Sequence, residues 1–217
     1  MTAPRAPRDT LDRERVLVAA FALADRDGFD ALTIRALAAD LGVRPMAIYH
    51  YIASKDELLD ALVDRVFSEV HQPGEGDWRV ELHHRAASLH DALSRHPWVL
   101  PFVETRSRPG PQTLSNHNAV IEVLGANGFS LVATAHAYAV LDAFVYGFAL
   151  QEAMLASAGM ADVAPLVEGM GLMQYPRVLE LAGLYMTPAG HDFASSFEVG
   201  LSIVLDGLER LREQYPQ

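Results

Sequence analysis

The chain contains no cysteine, and this absence excludes disulfide bonds and metal sites built on thiolates. Its 217 residues also lack the G-x-S-x-G, H-E-x-x-H and glycine-rich phosphate-binding patterns that mark common catalytic sites. No apolar stretch follows the arginines of the first ten residues, as it would in a secretory signal peptide. We therefore expect a cytoplasmic protein that is not an enzyme.

Metal-binding side chains are also sparse. The nine histidines come closest to a cluster at His83, His84 and His90. His83 and His90 are seven residues apart and can share one face of a helix, but no carboxylate completes a zinc site with them. The sequence predicts no metal site and no cofactor, and an all-helical enzyme remains an alternative.

Charge is divided unevenly along the chain, whose net charge is -11. Residues 1–56 hold eight basic and eight acidic residues, so the remaining nine basic and twenty acidic residues carry the whole excess. Within residues 33–55, Arg35, Arg44 and Lys55 face only Asp40, so this stretch is basic. A basic stretch can bind nucleic-acid phosphates, and an acidic remainder discourages misplaced contacts. The overall acidity therefore does not argue against DNA binding.

The stretch 32–62 has the pattern of a helix-turn-helix DNA reader. Leu37, Ala38 and Leu41 have the spacing of one apolar helix face, and Gly42 ends that helix. A second short helix is predicted from Arg44 to Tyr51, with aromatic and basic residues that a protein core would not select. Ser54 then begins a further helix, with a glutamate three residues later as in a capping box. Two helices joined by a tight glycine turn are the unit that enters the major groove of DNA.

The same stretch resembles the DNA-binding domain of the TetR family of transcriptional repressors. The resemblance lies in T-x-R-x-L-A-x-x-L-G-V at 33–43, in the two tyrosines that follow, and in K-x-x-L-L at 55–59. It implies that Arg35 reads a guanine edge, that apolar side chains at the start of the second helix touch bases, and that the flanking residues bind phosphate. The DNA-contacting residues predicted in this way are Thr33, Arg35, Arg44, Pro45, Met46, Ala47, Tyr49, His50, Tyr51 and Lys55.

The rest of the chain is predicted to be helical throughout. Helices are expected at 78–95, 113–126, 130–158, 178–186 and 189–214, and no segment alternates as a strand would. The run 131–150 has transmembrane length, but Asp142 near its middle would cost about 2.5–3.5 kcal/mol in a bilayer. A helix that packs on its own domain on one side and on a twin subunit on the other explains the run better. A membrane-associated sensor remains an alternative.

The C-terminal half resembles the tetracycline-repressor branch of the family, through LLDAL at 58–62, Thr105-Arg106 and NGFSL at 127–131. The branch holds a drug-chelated magnesium with two histidines and a glutamate, where this sequence has Phe102, Ala143 and Gln151. A tetracycline–magnesium sensor is therefore not expected. The resemblance implies an apolar pocket, with Met170 and Met173 as a lid. Its predicted lining is His71, Arg85, Leu89, Phe102, Thr105, Arg106, Val120, Phe144, Phe148 and Gln151.

Together these patterns predict an all-α protein of two parts. A flexible arm (1–8) precedes a three-helix helix-turn-helix DNA-binding domain (9–56, with the motif itself at about 33–52). A connecting helix (57–72) leads to a larger ligand-binding and dimerisation domain (73–217). The predicted function is a ligand-responsive repressor that binds a palindromic operator as a homodimer, paired through the 130–158 and 189–214 helices. A small, largely apolar organic effector would release it. A TetR-like activator or a ligand-independent regulator is the alternative within this class.

Overall fold

A computed structural model of the protein describes residues 11–157, 174–186 and 193–216. The predicted arm (1–8), Met170 and Met173 lie outside these residues. The described chain is helical, with no strand in any of the three ranges, and this confirms the all-α prediction. The helices are α1 (Arg13–Asp27), α2 (Ile34–Asp40), α3 (Pro45–Ile48), α4 (Lys55–Phe67), α5 (Trp78–Arg95), α6 (Pro111–Ala126), α7 (Leu131–Ser157), α8 (Pro176–Met186) and α9 (Ser196–Gln214).

Helices α1, α2 and α3 form a small unit at the N-terminal end, which we call the head (residues 11–53). Two glycines with positive φ shape it: Gly28 (83°) ends α1, and Gly42 (65°) makes the turn between α2 and α3. An L-residue would be strained in either conformation, so the chain can turn sharply only because glycine is there. The head has its own core, made by Val16, Leu17, Ala20, Leu23, Ala24, Leu32, Leu37, Ala38, Ile48 and Ile52, and completed by Leu58 and Leu62 of α4.

The second helix of the motif is shorter than predicted. It spans Pro45–Ile48 rather than Arg44 to Tyr51, because Pro45 occupies the first helical position and the chain tightens into turns after Ile48. The backbone N–H groups of Tyr51 and Ile52 both donate to the Ile48 carbonyl, at 2.9 and 3.1 Å. Ile48 and Ile52 are fully buried and anchor this short segment on the head core, while Pro45, Met46, Tyr49 and His50 are exposed.

Helix α4 begins with the predicted capping box. The Ser54 hydroxyl accepts a hydrogen bond from the Glu57 backbone N–H at 3.1 Å, and the Glu57 carboxylate accepts one from the Ala53 N–H at 2.8 Å. The helix contributes to two cores, since Leu58 and Leu62 belong to the head while Val63 and Val66 belong to the larger C-terminal core. It ends at Phe67, before the predicted 72, and the chain continues in turns to Val70.

The C-terminal part, which we call the body, is a bundle in which α7 packs against α5, α6 and α9, and α4 packs against α5 and α6. Its core contains Leu82, Leu89, Leu93, Val120, Leu124, Leu141, Val145, Leu201 and Leu205. Helix α5 has the predicted bounds, because Asp77 caps its first turn and His96-Pro97 ends it. Helix α9 begins at Ser196, later than the predicted start at 189, because residues 193–195 form turns; residue 189 itself lies outside the described residues.

Helix α7 is the described helix that is long and apolar enough to cross a bilayer. Its inward face includes Asp142, which is buried and ion-paired with Arg85 of α5 inside the bundle. Its outward face exposes Val132, Val140, Leu150 and Met154. A carboxylate paired within the protein is typical of a core helix, so the length and composition of α7 do not require a membrane.

Candidate nucleic-acid interface and ligand cavity

The head presents unusually exposed apolar and aromatic side chains around α3. Met46 is 71% exposed and Tyr49 47% exposed, although both are large residues that a core would accept. Pro45 and His50 are also exposed, while Ala47 is half-buried. A small protein rarely leaves such side chains in water without a binding function. This face of α3 can therefore contact a partner without any change in the fold of the head.

The arginines of the head divide into two groups. Three arginines are ion-paired: Arg13 with Glu57 at 3.5 Å, Arg26 with Asp27 at 2.9 Å, and Arg65 of α4 with Glu14 at 2.7 Å. Arg35 on α2 and Arg44 before α3 are exposed, and neither has an ion-pair or hydrogen-bond partner within the described ranges. An unpaired guanidinium can form bidentate bonds with phosphate or guanine without first breaking an internal contact. We call the exposed residues Arg35, Arg44, Met46, Tyr49 and Lys55 the reading surface.

Three of the predicted DNA-contacting residues have internal bonds. Thr33 caps α2, since its hydroxyl accepts the Ala36 N–H at 3.1 Å. The Tyr51 hydroxyl donates to the Leu11 carbonyl at 2.7 Å and so fixes the start of α1 to the motif. The Lys55 ammonium lies 4.6 Å from the centroid of the Phe29 ring. These bonds orient the motif, and the exposed Thr33 and Lys55 remain accessible to a phosphate.

A cavity of about 140 Å³ lies between α4, the 103–110 segment, α6 and α7. Seven of its eleven lining residues are polar or charged. The lining residues are Asp60, Val63, Val103, Glu104, Arg106, Arg108, Pro109, Gly110, Thr113, His117 and Tyr138. The cavity is smaller than the roughly 300–1,000 Å³ of sites for drug-sized ligands. In this conformation the cavity is therefore too small to hold a drug-sized molecule.

Two polar contacts tie the far wall of the cavity to α4. The Arg106 guanidinium donates to the Asp60 carboxylate at 2.6 Å. The Asp64 carboxylate accepts the backbone N–H of Thr113 at 2.8 Å and its hydroxyl at 3.0 Å, and so caps the first turn of α6. A Cβ built on Gly110 would lie 2.3 Å from Asp64, so only glycine lets the two segments approach this closely.

A buried polar network lies behind the cavity. Arg85 is fully buried, ion-pairs with Asp142, and donates to the Asn116 side-chain oxygen at 3.0 Å. Burial raises the pKa of Tyr138, and the nearby Asp142 carboxylate raises it further, so its hydroxyl stays protonated. Burial lowers the pKa of His117, which keeps the ring neutral at pH 7. The His117 Nε2 atom is buried without a hydrogen-bond partner in the described part of the chain.

That unsatisfied nitrogen is informative, since a buried polar atom without a partner costs about 1–3 kcal/mol. His117 belongs to the cavity wall, beside Thr113 one helical turn earlier and Tyr138 of α7. A ligand with a hydroxyl or a carbonyl would satisfy it. The sequence interpretation missed all three residues, although the four-residue spacing of Thr113 and His117 on α6 places them on one helix face.

Of the ten residues predicted to line a pocket, the cavity contains only Arg106. Leu89 and Val120 are fully buried in the body core, because their faces of α5 and α6 pack against neighbouring helices, and Arg85 is occupied by Asp142. Phe144 and Phe148 join a ring cluster with Phe197, and Phe102 packs on Phe29 at 4.7 Å. Thr105 and Gln151 are exposed to solvent, as is Ala143. The predicted lining stays a prediction, and Arg106 is its one member that also lines this cavity.

The histidines group differently from the sequence prediction. His83 bonds to Glu198 at 2.8 Å, and His90 bonds to Glu152 at 2.6 Å and stacks on Phe197, so these two do not share a ligand set. Instead His84 lies with Glu81 of the same helix and with His71 from the preceding loop. The Glu-x-x-His spacing of Glu81 and His84 on α5 is visible in the sequence. The third member, His71, lies thirteen residues before His84, and no local spacing indicates it.

Comparison with known proteins decides the family. The description "Bacterial regulatory proteins, tetR family" matches residues 16–62, and "Tetracyclin repressor-like, C-terminal domain" matches residues 71–212. The two matches cover the head and most of the body. The chain belongs to the TetR family.

Individual TetR-family relatives agree with this assignment along nearly the whole chain. The repressor DrrR1 of Streptomyces coeruleorubidus is 32% identical over 97% of this chain and 82% of its own length. The class A tetracycline repressor from transposon 1721 in Escherichia coli is 32% identical over 93% of this chain and 92% of its own. The crystal structure of Streptomyces coelicolor ActR in complex with actinorhodin superimposes with a TM-score of 0.74 at 26% identity, covering 93% of this chain and 98% of that one.

This TetR-family chain is accordingly a DNA-binding transcriptional repressor and not an enzyme, as the sequence predicted. The head is the DNA-binding domain of the family, and the body is its C-terminal domain. Most of the cavity lining, from Val103 to Tyr138, lies in that C-terminal domain.

Proposed function

We propose that this TetR-family protein binds a palindromic operator as a homodimer and is released from it by a small organic effector. One observation carries the proposal: α4 belongs to both parts of the molecule. Asp60, Val63 and Asp64 of α4 face the cavity or cap its wall, while Leu58 and Leu62 of the same helix are buried in the head core. A change in the cavity is therefore transmitted to the head through one rigid element.

The reading surface supplies the DNA contacts in this proposal. Arg35 reads a guanine edge, and Met46 with its neighbours Pro45 and Ala47 contacts bases. The phosphates are bound by the flanking polar side chains of Thr33, Tyr49, Tyr51 and Lys55. Arg44 and His50 serve either purpose. Because Met46 and Ala47 cannot form strong hydrogen bonds to bases, base recognition depends mainly on Arg35. The protein acts in the cytoplasm, where bacterial operators are found.

The outward faces of α7 and α9 support a homodimer. Val132, Val140, Leu150 and Met154 are exposed on α7, and Val199 and Ile203 are 60% and 64% exposed on α9. These side chains form apolar surface on two adjacent helices that contact each other in the body. Burying such surface against a second copy removes it from water, and places two heads on DNA half-sites about one helical turn apart.

Gly147 on α7 offers a direct test of the dimer. A Cβ at Gly147 meets nothing within 4 Å, so the Gly147→Arg variant should fold normally but place a charge in the proposed interface. In sedimentation experiments at micromolar concentration we expect the native protein at twice 23.7 kDa and the variant at 23.7 kDa. Gly125→Arg on α6 is the matched control, since its Cβ also meets nothing, and it should stay dimeric. A dimeric Gly147→Arg variant would show that the copies pair elsewhere.

The cavity supports an effector that carries polar groups on a small organic frame. His117, Tyr138 and Thr113 offer hydrogen bonds on one side, and Val63 and Val103 offer apolar contact on the other. ActR, a relative in structure, has been crystallised with actinorhodin, so this compound is a reasonable first probe.

Entry of such a molecule would require the closed cavity to widen. The Asp64–Thr113 contact holds the first turn of α6 on α4, so a bound effector favours a state in which this contact is broken and α4 has moved. A ligand shifts a two-state equilibrium only through its different affinity for the two states, and the difference in cavity volume supplies it here. Movement of α4 changes the spacing of the two heads and lowers operator affinity.

The Asp64 contact can be tested without knowing the effector. Replacing Asp64 with alanine removes the acceptor of the Thr113 N–H, so hydrogen exchange in the first turn of α6 should quicken about tenfold or more, since a bond to a charged group contributes roughly 1.5–3 kcal/mol. Exchange in α9 should not change. Glu122→Ala, an exposed carboxylate of the same helix, should leave α6 as protected as before. Equal exchange in both variants would mean that Asp64 does not hold this turn.

The decisive experiment is a nuclease footprint on the DNA flanking the protein's own gene, at a stated salt concentration, with and without probe compounds. We expect a protected pseudo-palindrome that is lost when actinorhodin or a related polycyclic compound is added. Tetracycline with Mg²⁺ should not remove it, because Phe102, Ala143 and Gln151 offer neither a carboxylate nor an imidazole to the metal. A footprint that no compound releases would favour a ligand-independent regulator, and increased transcription in the presence of the protein would favour an activator.

A further inference from the structure

Three potential metal ligands meet at the junction of α4 and α5, outside the cavity. The candidate ligand atoms of His71, Glu81 and His84 all lie within 4.8 Å of one another, and His71 Nε2 is 2.9 Å from a Glu81 carboxylate oxygen. His71 is in the loop that follows α4, and the other two are in the first two turns of α5. In the part of the chain that the structure describes, these three residues are the group with such geometry.

We propose that His71, Glu81 and His84 form a binding site for one divalent first-row transition metal ion, of which Zn²⁺ is the best match. Two imidazoles and one carboxylate are a ligand set that Zn²⁺ accepts with a further position open to water. Imidazole nitrogen suits Co²⁺, Ni²⁺, Cu²⁺ and Zn²⁺, whereas Mg²⁺ and Ca²⁺ prefer oxygen ligands. With two of its three ligands imidazoles, the set favours a transition metal ion over an alkaline-earth ion.

The ligands are held in place by contacts that need no metal. Glu81 and His84 are three residues apart on α5 and so share one helix face, and Asp77 fixes the start of that helix by accepting the N–H groups of Arg79 and Val80. The His71 backbone N–H donates to the Ser88 hydroxyl at 2.8 Å, and its carbonyl accepts the Asn116 amide at 3.0 Å. A preformed site loses little conformational entropy when an ion binds.

The Glu81 carboxylate is prepared for a cation. Its Oε2 atom accepts the Gly74 backbone N–H at 2.9 Å, which orients the group towards the histidines. The same Oε2 atom also lies 2.9 Å from His71 Nε2, so one oxygen faces both the loop and the imidazole. Hydrogen bonding of a ligating carboxylate to a fixed neighbour is the usual support of a metal ligand.

The other histidine–carboxylate contacts lack the second imidazole. His83 pairs with Glu198 alone, although its ring is only 6.1 Å from that of His84. His90 pairs with Glu152 and is stacked on Phe197. The contrast makes His83 a matched control, since it lies on the same helix next to a proposed ligand and has the same chemistry.

The experiment uses full-length protein without a histidine tag, stripped of metal with a chelator and titrated with Zn²⁺ by calorimetry at pH 7.5. We expect one Zn²⁺ per chain, and a visible absorption spectrum typical of low-symmetry coordination when Co²⁺ is used instead. His84→Ala and His71→Ala should each weaken Zn²⁺ binding about 100-fold or more, and Glu81→Gln at least about tenfold. His83→Ala should change the affinity less than about threefold.

His84 is exposed, so its replacement should leave the fold intact, and the melting temperature of the metal-free variants verifies this. Zn²⁺ should raise the melting temperature of the native protein and of His83→Ala but not that of His84→Ala. Equal Zn²⁺ binding by His84→Ala and the native protein would overturn the proposal, as would no binding at millimolar Zn²⁺. The cavity and the reading surface contain none of these residues, so failure here leaves the operator proposal unaffected.

Discussion

Replacing Arg85 with methionine should lower the free energy of unfolding by about 3–5 kcal/mol, the cost of breaking a buried ion pair from one side. Arg85 has no exposed surface, and its guanidinium contacts the Asp142 carboxylate and the Asn116 oxygen. Burial alone would lower the pKa of Arg85, but the Asp142 carboxylate raises it, so the guanidinium stays charged. Methionine fills much of the volume but leaves Asp142 buried without a counter-charge.

A second substitution separates charge from packing. In the double variant Arg85→Met with Asp142→Leu, both charges are gone, so most of the lost stability should return, to within about 1–2 kcal/mol of the native protein. The control is Arg95→Met, because Arg95 is exposed and its pair with Glu69 should contribute less than about 1 kcal/mol. Urea unfolding followed by circular dichroism at one fixed protein concentration measures all four proteins. A single variant as stable as the double variant would contradict the prediction.

The Asp142 pair also shows where sequence reasoning ends. The sequence places one acid in the middle of a twenty-residue apolar run, and this was enough to argue against a membrane span. It could not identify Arg85 as the partner, because the two residues are 57 positions apart and meet only through the packing of α5 on α7. The free-energy cost of burying the Asp142 charge can be predicted from that residue alone. Which residue offsets the cost depends on the tertiary structure.

Features determined by local chemistry were predicted well. The bounds of α5 follow from Asp77 and from His96-Pro97, the capping box at Ser54 follows from a three-residue spacing, and the motif turn follows from Gly42. Each depends on residues within one or two helical turns of each other. Local capping and turn residues, rather than packing within the bundle, therefore determine where these elements begin and end.

The lining of the cavity could not be predicted in the same way. In the sequence, Asp60 and Asp64 have the pattern of ordinary surface acids on an amphipathic helix. Thr113 and His117 have the pattern of ordinary polar surface residues on α6. They face one cavity only because α4 packs on α6, which no spacing within either helix indicates. The branch resemblance instead selected Leu89 and Val120, which the bundle uses as core.

The largest effect on function is expected from Arg35. One bidentate arginine–guanine contact contributes about 1–3 kcal/mol, and a homodimer makes two, so Arg35→Ala should weaken operator binding by about 2–6 kcal/mol, or roughly 30-fold to 10⁴-fold. Arg35 is exposed on α2 without a partner in the described ranges, so the substitution removes no internal bond and the fold should be unchanged. The loss would therefore report on DNA contact alone.

Two comparisons distinguish base reading from simple charge. Arg44→Ala should weaken binding to operator and to unrelated DNA alike and should reduce the salt dependence, as loss of a phosphate contact does, whereas Arg35→Ala should mainly reduce the preference for the operator. Arg177→Ala on α8 is the matched control, since it removes the same charge from a highly exposed site far along the chain. Fluorescence anisotropy with a labelled operator at 150 mM salt, as a rough physiological value, measures each affinity. If Arg35→Ala bound the operator within about threefold of the native protein, Met46 and its neighbours would have to carry the recognition, by apolar contact with thymine methyl groups.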